Sequence, residues 1–264
     1  MPIKPLDFKP VSETEFYEID YLVMKQAFEA HSAFGRFYDE DIYRNELARL
    51  CRVNGFESVE TEVPIHVSHK DFCKTYYMDL LIDRSVVYEL KTVQAFNGMH
   101  RRQLLNYLFL CGLRHGKLLN FRTPRMTHEF VSTSLDKSER FRYQFNLDCW
   151  RECNEESIRL KTIIEGLLED WGAFLEASLY ADALVHFLGG EGVVEKPIDI
   201  CVRGEVIGHQ KVRMLNDSSA FFVTAVQHKT DYRKHLENVL SKTFLKNILW
   251  INFDKHDVEL VTVL

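Results

Sequence analysis

Apolar residues recur every three or four positions over about 13–34. Phe16, Ile19, Val23, Ala27, Ala30 and Phe34 share one side, a period that predicts an amphipathic helix stopped by Gly35. A second helix is predicted over about 39–53, with Ile42, Leu47, Leu50 and Cys51 inward and Asn54-Gly55 as its end. The period then changes. Runs at about 60–68, 74–82 and 86–93 are rich in Val, Ile, Tyr and Leu and separated by polar turns, so they read as strands. After Asn97-Gly98 a helix over about 99–113 carries Leu104, Leu105 and Leu108, and strands at about 117–121 and 127–133 follow. Helices, a meander, a helix and more strands predict a layered α/β domain with an α+β mixed sheet.

The segment from about 135 to 156 is charged, with a short strand expected near 141–145, and it marks a boundary. Beyond it the order of elements recurs: helical residues over about 156–188, strands at about 193–202, 206–215 and 220–228, a helix over about 231–245, and strands at about 248–253 and 257–263. Short identities accompany the order. Glu62-Val63-Pro64-Ile65 matches Glu195-Lys196-Pro197-Ile198, Leu118-Leu119-Asn120-Phe121 matches Trp250-Ile251-Asn252-Phe253, and 172–176 has the character of the stretch around Glu40. The expectation is a duplication, with one unit at 1–150 and a degenerate second copy at 151–264. Aligning Pro64 with Pro197 and Asp83 with Asp217 sets Arg213 against Asp79, Val223 against Glu89, Ala225 against Lys91 and Glu237 against Gln103, so no metal ligand survives in that copy. The other reading of the second half is an unrelated accessory domain.

Composition narrows the class. A net charge of −6 argues against a protein that coats nucleic acid through bulk electrostatics. Between Lys91 and Arg142, however, ten Lys and Arg face three acids, a basic surface suited to a phosphate backbone or simply a solvated charged face. No leader-like start and no long apolar run is present, which leads us to expect a cytoplasmic protein with no membrane span. Six scattered cysteines, Cys51, Cys73, Cys111, Cys149, Cys153 and Cys201, are expected as reduced, mostly buried thiols.

The densest chemistry lies at 79–107. Successive strand residues face opposite ways, so Glu89 and Lys91 share a face while Leu90 points to the core. A turn at Asp83-Arg84-Ser85 pairs Ile82 with Val86 and brings Asp79 opposite Glu89. Opposite side chains on paired strands are close enough for two carboxylates to hold one hard cation, and oxygen ligands suit Mg²⁺ or Mn²⁺. Such an ion polarises a phosphoryl oxygen, while Lys91 orients water or offsets charge at phosphorus. Gln103 and Tyr107, four apart on a helix, share one face and can reach Lys91 or a phosphate. Without a cation, the same acids and lysine are polar partners on a half-exposed sheet.

Residues at about 23–134 resemble the GxxExxY family, a branch of the PD-(D/E)XK nuclease superfamily. The likeness rests on 27–31 with Gly35, Glu40-Asp41-Ile42-Tyr43, Glu62-Val63-Pro64, Asp79-Leu80-Leu81, Glu89-Leu90-Lys91, Gln103 to Tyr107 and Leu118 to Phe121. Phe37 stands where that family has its first glycine. The resemblance implies a restriction-endonuclease-like core with Asp79 and Glu89 as metal ligands, Lys91 as catalytic lysine, Gln103 and Tyr107 as a Gln-x-x-x-Tyr element, and Glu40 and His31 as further ligands. It implies a Mg²⁺- or Mn²⁺-dependent nuclease acting on DNA or RNA. Arg101, Arg102, Arg114, Lys117, Arg122 and Arg125 are the expected nucleic-acid contacts, and the chain is expected as a monomer acting as a pseudo-dimer or as a homo-oligomer. Two other classes stand beside it: a non-catalytic nucleic-acid-binding or scaffold protein that keeps the fold, and a hydrolase of a small phosphorylated ligand.

Overall fold

A computed structural model describes residues 3–4, 7–136 and 138–264. The chain divides into two units, Met1–Ser68 with Cys73–Lys137 and His69–Phe72 with Ser138–Leu264. The first unit holds helices α1 (Glu13–Phe34), α2 (Glu40–Val53) and α3 (Gly98–Cys111). Its sheet comprises β1 (Ile3–Lys4), β2 (Val59–His69), β3 (Phe72–Ile82), β4 (Val86–Lys91), β5 (His115–Asn120) and β6 (Thr127–Ser132), in spatial order β1-β2-β3-β4-β5-β6. β4 and β5 run parallel and are joined through α3, whereas β3 with β4 and β5 with β6 are antiparallel. A parallel pair needs such a crossover, which is why a helix interrupts the strand pattern here.

Local chemistry sets the helix ends. Ser12 and Glu15 form a reciprocal capping box on α1, and Asn97 caps α3 by accepting from Met99 N and His100 N. Phe16, Val23, Ala27, Tyr43 and Leu47 pack on Leu80, Ile82, Val86, Tyr88 and Leu90, so α1 and α2 cover one face of the sheet. The opposite face takes α3, and Gly116 permits that approach. A Cβ there would lie 3.0 Å from the Val87 carbonyl oxygen and 3.1 Å from Leu104 Cδ1. The Asp83-Arg84-Ser85 turn pairs Ile82 with Val86 as expected, Asp83 and Arg84 both taking left-handed φ values of +49° and +55°.

The second unit contains α4 (Glu155–Trp171), α5 (Ala177–Phe187), α6 (Glu191–Val194) and α7 (Lys229–Ser241). Its sheet is built from β7 (Gln144–Asn146), β8 (Glu195–Val202), β9 (Glu205–Asn216), β10 (Ser219–Thr224), β11 (Asn247–Asp254) and β12 (Asp257–Val263), in the order β7-β12-β11-β10-β9-β8. β10 and β11 are parallel and bracket α7. Both units are therefore mixed α/β layers with a mixed sheet.

Several details depart from the sequence reading. The helical stretch expected over 156–188 is two helices, because Gly172 ends α4 at φ +72° and Phe174 also takes φ +72°. β7 pairs with β12, so residues 144–146 belong to the sheet of the second unit. All six cysteines are free, yet only Cys51 and Cys111 are buried; Cys73, Cys149 and Cys153 are exposed. Among the described residues no helix is long and apolar enough to cross a membrane.

One set of contacts occurs in both units. Tyr43 donates its hydroxyl to the Gly35 carbonyl at 2.8 Å and stacks on Phe121 at 4.6 Å. Tyr180 donates to the Gly172 carbonyl at 2.5 Å and stacks on Phe253 at 4.3 Å.

Candidate active site

Asp79, Glu89 and Lys91 meet at the C-terminal end of β4. Pairing of Leu80 with Tyr88 leaves Asp79 and Glu89 as the next opposed pair, and Asp79 Oδ2 accepts from Leu90 N at 2.8 Å. The strand end itself is clamped from β5. Asn120 Nδ2 donates to the Val93 carbonyl at 2.8 Å, Asn120 Oδ1 accepts from Val93 N at 3.2 Å and Arg122 N at 3.1 Å, and Phe121 N donates to the Lys91 carbonyl at 2.9 Å. The Leu118 to Phe121 segment singled out in the sequence thus fixes the backbone that carries Lys91. The same bonds pull Val93 out of the ladder, so β4 ends at Lys91 and not at 93.

Lys91 Nζ donates to Glu89 Oε1 at 2.8 Å and lies 3.6 Å from Glu40 Oε1 and 3.9 Å from Asp79 Oδ2. Burial pushes the Glu89 carboxyl up to about 8, and the neighbouring Asp79 charge adds to this. Burial also raises Asp79 and Glu40, opposed in both by the Lys91 ammonium. Burial on its own lowers Lys91, but Glu89, Asp79 and Glu40 outweigh it and hold the ammonium above its ordinary value. Three acids thus surround one firmly charged lysine, and Glu89 Oε2 is buried with no hydrogen-bond donor.

That oxygen is the point at which a cation fits. Two carboxylates with water completing the shell suit Mg²⁺ or Mn²⁺, whereas among the described residues no three His, Cys, Asp or Glu side chains make a ready cage. Of the four expected metal ligands, Asp79 and Glu89 converge, and Glu40 joins them through Lys91. His31 is held elsewhere, with Nε2 at 3.0 Å from the Thr123 carbonyl oxygen and its ring 6.2 Å from Phe121. Gln103 Nε2 donates to Tyr107 Oη at 2.8 Å, so the two residues of the Gln-x-x-x-Tyr element bond to each other, and Tyr107 lies edge-on to Tyr76 at 6.1 Å.

Two residues here escaped the sequence reading. Arg44, four residues after Glu40 on α2, reaches Glu62 Oε1 at 3.2 Å and Asp79 Oδ1 at 3.7 Å. Its spacing from Glu40 was the available signal. His100, in the first turn of α3, is lowered by burial and then by the charge of Lys91, which places it in the field of the site.

The expected basic contacts separate into two kinds. Arg102, Arg114 and Arg125 are exposed. Arg101 is exposed but ion-paired with Glu129, and Arg122 is half-buried with its guanidinium 5.7 Å from the Phe37 ring centre. Lys117 is a correction: it is buried, and its ammonium pairs with Asp20, which also accepts from Tyr88 Oη at 3.3 Å. Alternation along β5 decides this, because Lys117 shares the α1 face with Leu119 and Phe121.

In the second unit Asn252 stands as Asn120 does: Nδ2 donates to the Val226 carbonyl at 2.9 Å and Oδ1 accepts from Val226 N at 2.9 Å. Setting the two asparagines on each other gives an alternative alignment, shifted by one residue. Lys91 pairs with Asn120 and Thr224 with Asn252, Glu89 with Leu118 and Phe222 with Trp250. Leu80 pairs with Tyr88 and Arg213 with Phe221. Val212, Phe222 and Thr224, rather than Arg213, Val223 and Ala225, then correspond to Asp79, Glu89 and Lys91. No carboxylate occupies any of the three positions in either alignment.

No curated protein matches this chain. Among solved structures, that described as "Crystal structure of SSO0001" is 24% identical over 47% of this chain and 63% of that chain, with a TM-score of 0.30. Residues 17–132, which contain Asp79, Glu89, Lys91 and the clamp at Asn120, match the family model described as the PD-(D/E)XK nuclease superfamily, and it is to this superfamily that the first unit is similar.

Proposed function

We propose that the first unit is a divalent-cation-dependent nuclease that hydrolyses phosphodiester bonds of DNA or RNA. The observation that carries this reading is Glu89 Oε2, a buried carboxylate oxygen without a donor beside Asp79. In the cation-free chain burial keeps the Glu89 carboxyl protonated near neutral pH, and a cation beside Asp79 would take the place of that proton. Asp79 and Glu89 would hold Mg²⁺ or Mn²⁺, which when bound polarises a phosphoryl oxygen and makes its water more acidic. Lys91 stays protonated and is positioned by Glu89, so it offsets negative charge at phosphorus instead of taking a proton. Glu40, with its carboxyl raised by burial, stands near Lys91 as an acceptor for a water proton. The Gln103–Tyr107 pair presents an amide and a phenol from α3. Arg102, Arg114 and Arg125, exposed, are the candidate backbone contacts.

We read the first unit further as a GxxExxY-like branch, supported by Glu40 beside Lys91 and by Tyr43 bonded to Gly35. The second unit is read as a non-catalytic copy. Its supports are the repeated asparagine clamp, the repeated tyrosine contacts and the equal order of five strands, β2 to β6 and β8 to β12, around a parallel pair; the sixth strand differs, β1 lying beside β2 and β7 beside β12.

The test is cleavage of end-labelled single-stranded DNA, duplex DNA and RNA with Mg²⁺, Mn²⁺ or chelator. Cation-dependent cleavage by the wild type, lost in Asp79→Asn, Glu89→Gln and Lys91→Ala variants that fold normally, is expected. Tight binding with no cleavage of any substrate points instead to a binding protein.

A further inference from the structure

We propose that Arg44 is a further substrate-contacting residue of this site, one that leaves Asp79 when a cation takes it and binds a non-bridging oxygen of the phosphodiester. The proposal rests on the nuclease reading above and names the group that meets the phosphate.

Glu40 and Arg44 are one turn apart on α2 and look out from the same side of it. Glu40 reaches Lys91, and the Arg44 charge acts on Glu40, so α2 delivers both an acid and a guanidinium to the end of β4. The guanidinium is poorly served where it lies. Its side chain is 13% exposed, its contact with Asp79 at 3.7 Å is beyond hydrogen-bond range, and its Nε is buried with no acceptor. The remaining contact, to Glu62 at 3.2 Å, involves a carboxylate that is 64% exposed, on a residue with φ +52° inside β2. A backbone held in that region within a strand is strained, and such strain collects at functional sites.

Besides Lys91 at 3.9 Å, Asp79 has Arg44 and any cation shared with Glu89 as claimants. Once a cation neutralises Asp79, the guanidinium loses one of its two carboxylate partners while keeping its full charge. A planar fork of N–H donors then matches a phosphate better than anything else described near it. The fold itself does not demand arginine there. Gly172 and Tyr180 repeat the bond between Gly35 and Tyr43, and the residue after Tyr180 is Ala181, buried in α5. Arginine follows the tyrosine in the unit that has the acids, alanine in the unit that lacks them.

Two affinities of the full chain decide the matter. Mn²⁺ binding without nucleic acid is measured by titration calorimetry for wild type, Arg44→Ala and Arg44→Lys. Binding of a fluorescent oligonucleotide in Mg²⁺ is measured by anisotropy in a Lys91→Ala background, which prevents cleavage. The expected result is opposite signs. Arg44→Ala binds Mn²⁺ about fivefold more tightly, having lost a competing positive charge, and the oligonucleotide about tenfold more weakly, with Lys restoring part of that loss. A residue that merely tied α2 to β2 gives lower Mn²⁺ affinity or none of these changes, and either result overturns the proposal. Opposite signs in Arg44→Ala, together with a wild type that cleaves nothing, keep Arg44 as a phosphate contact and remove the nuclease reading. Failure of the wild type to bind Mn²⁺ removes both.

Discussion

Glu89 Oε1 accepts a hydrogen bond from Lys91 Nζ at 2.8 Å, two residues along the same strand, while its second oxygen is buried and has no donor. One carboxyl group therefore has one oxygen bonded to the lysine and one without a donor, and this asymmetry drives the first two predictions.

The proton on Glu89 links stability to pH. Its carboxyl is raised from 4.5 to about 8 in the folded chain, so between those values the folded state holds a proton that the unfolded state has released. The contribution of Glu89 to the stability of the cation-free protein is therefore greatest below the lower value, falls as pH rises through this window by up to about 1.4 kcal/mol per unit, and levels off above it. Thermal unfolding with chelator, scanned across that range, is expected to show this decline. A Glu89→Gln variant flattens that part of the curve, keeps a higher Tm at alkaline pH and binds no Mn²⁺.

Cation binding must displace the same proton. Near neutral pH, Mn²⁺ binding is expected to release about one proton, and apparent affinity to rise up to about pH 8 and flatten beyond it. Calorimetry in two buffers of different ionisation enthalpy measures the release directly. An affinity independent of pH contradicts the assignment of Glu89 as a ligand.

The asparagine clamps predict a split between stability and activity. Asn120→Ala strips Val93 N, the Val93 carbonyl and Arg122 N of their partners, at an expected cost of about 2–3 kcal/mol by chemical denaturation. Asn252→Ala strips Val226 N and its carbonyl and costs a comparable amount. Only Asn120→Ala is expected to reduce cleavage, because only that clamp holds a strand end bearing Lys91.

Lys117 and Asp20 form a buried pair, so removing one partner leaves the other charge uncompensated. Lys117→Met alone is expected to cost about 3–5 kcal/mol, and Lys117→Met with Asp20→Asn much less, as read by urea unfolding. Nucleic-acid affinity, by contrast, is expected to respond to charge removal at Arg102, Arg114 or Arg125 and to be unaffected by the double variant.

The two glycines after α1 and α4 differ in surroundings and not in φ, +71° at Gly35 and +72° at Gly172. A Cβ at Gly172 would sit 2.6 Å from the Arg140 carbonyl oxygen, whereas one at Gly35 meets nothing within 4 Å. Gly172→Ala is therefore expected to lower Tm considerably more than Gly35→Ala, since it adds a backbone clash to the shared conformational strain.

The clustering of Asp79, Glu89 and Lys91 was legible because it is local. Strand alternation puts Glu89 and Lys91 on one face, and a three-residue turn forces Asp79 opposite Glu89, so the linear spacing nearly dictates the cluster. The helix limits at Glu13–Phe34 followed from the apolar period and the Gly35 stop. Lys117 was misread for the complementary reason: a basic residue in a basic stretch looks like surface until its strand's face is known. Arg44 was passed over because its partners, Glu62 and Asp79, are distant in sequence and meet it only when α2 packs on the sheet.

In the second half, the repeated order of elements was visible as pattern, while its register was not. A one-residue slip turns every side chain of a strand to the other face, and weak identities cannot exclude it. The pairing of Asn252 with Thr224 and Val226 supplies that register. By itself the sequence determined most of the elements and the placing of two acids and a lysine at one strand end, since these depend on backbone period and turn chemistry. The tertiary structure alone decided which cations are buried, which carboxylate oxygen is left without a donor and which arginine stands beside it, because burial and long-range pairing are properties of packed layers rather than of neighbours along the chain.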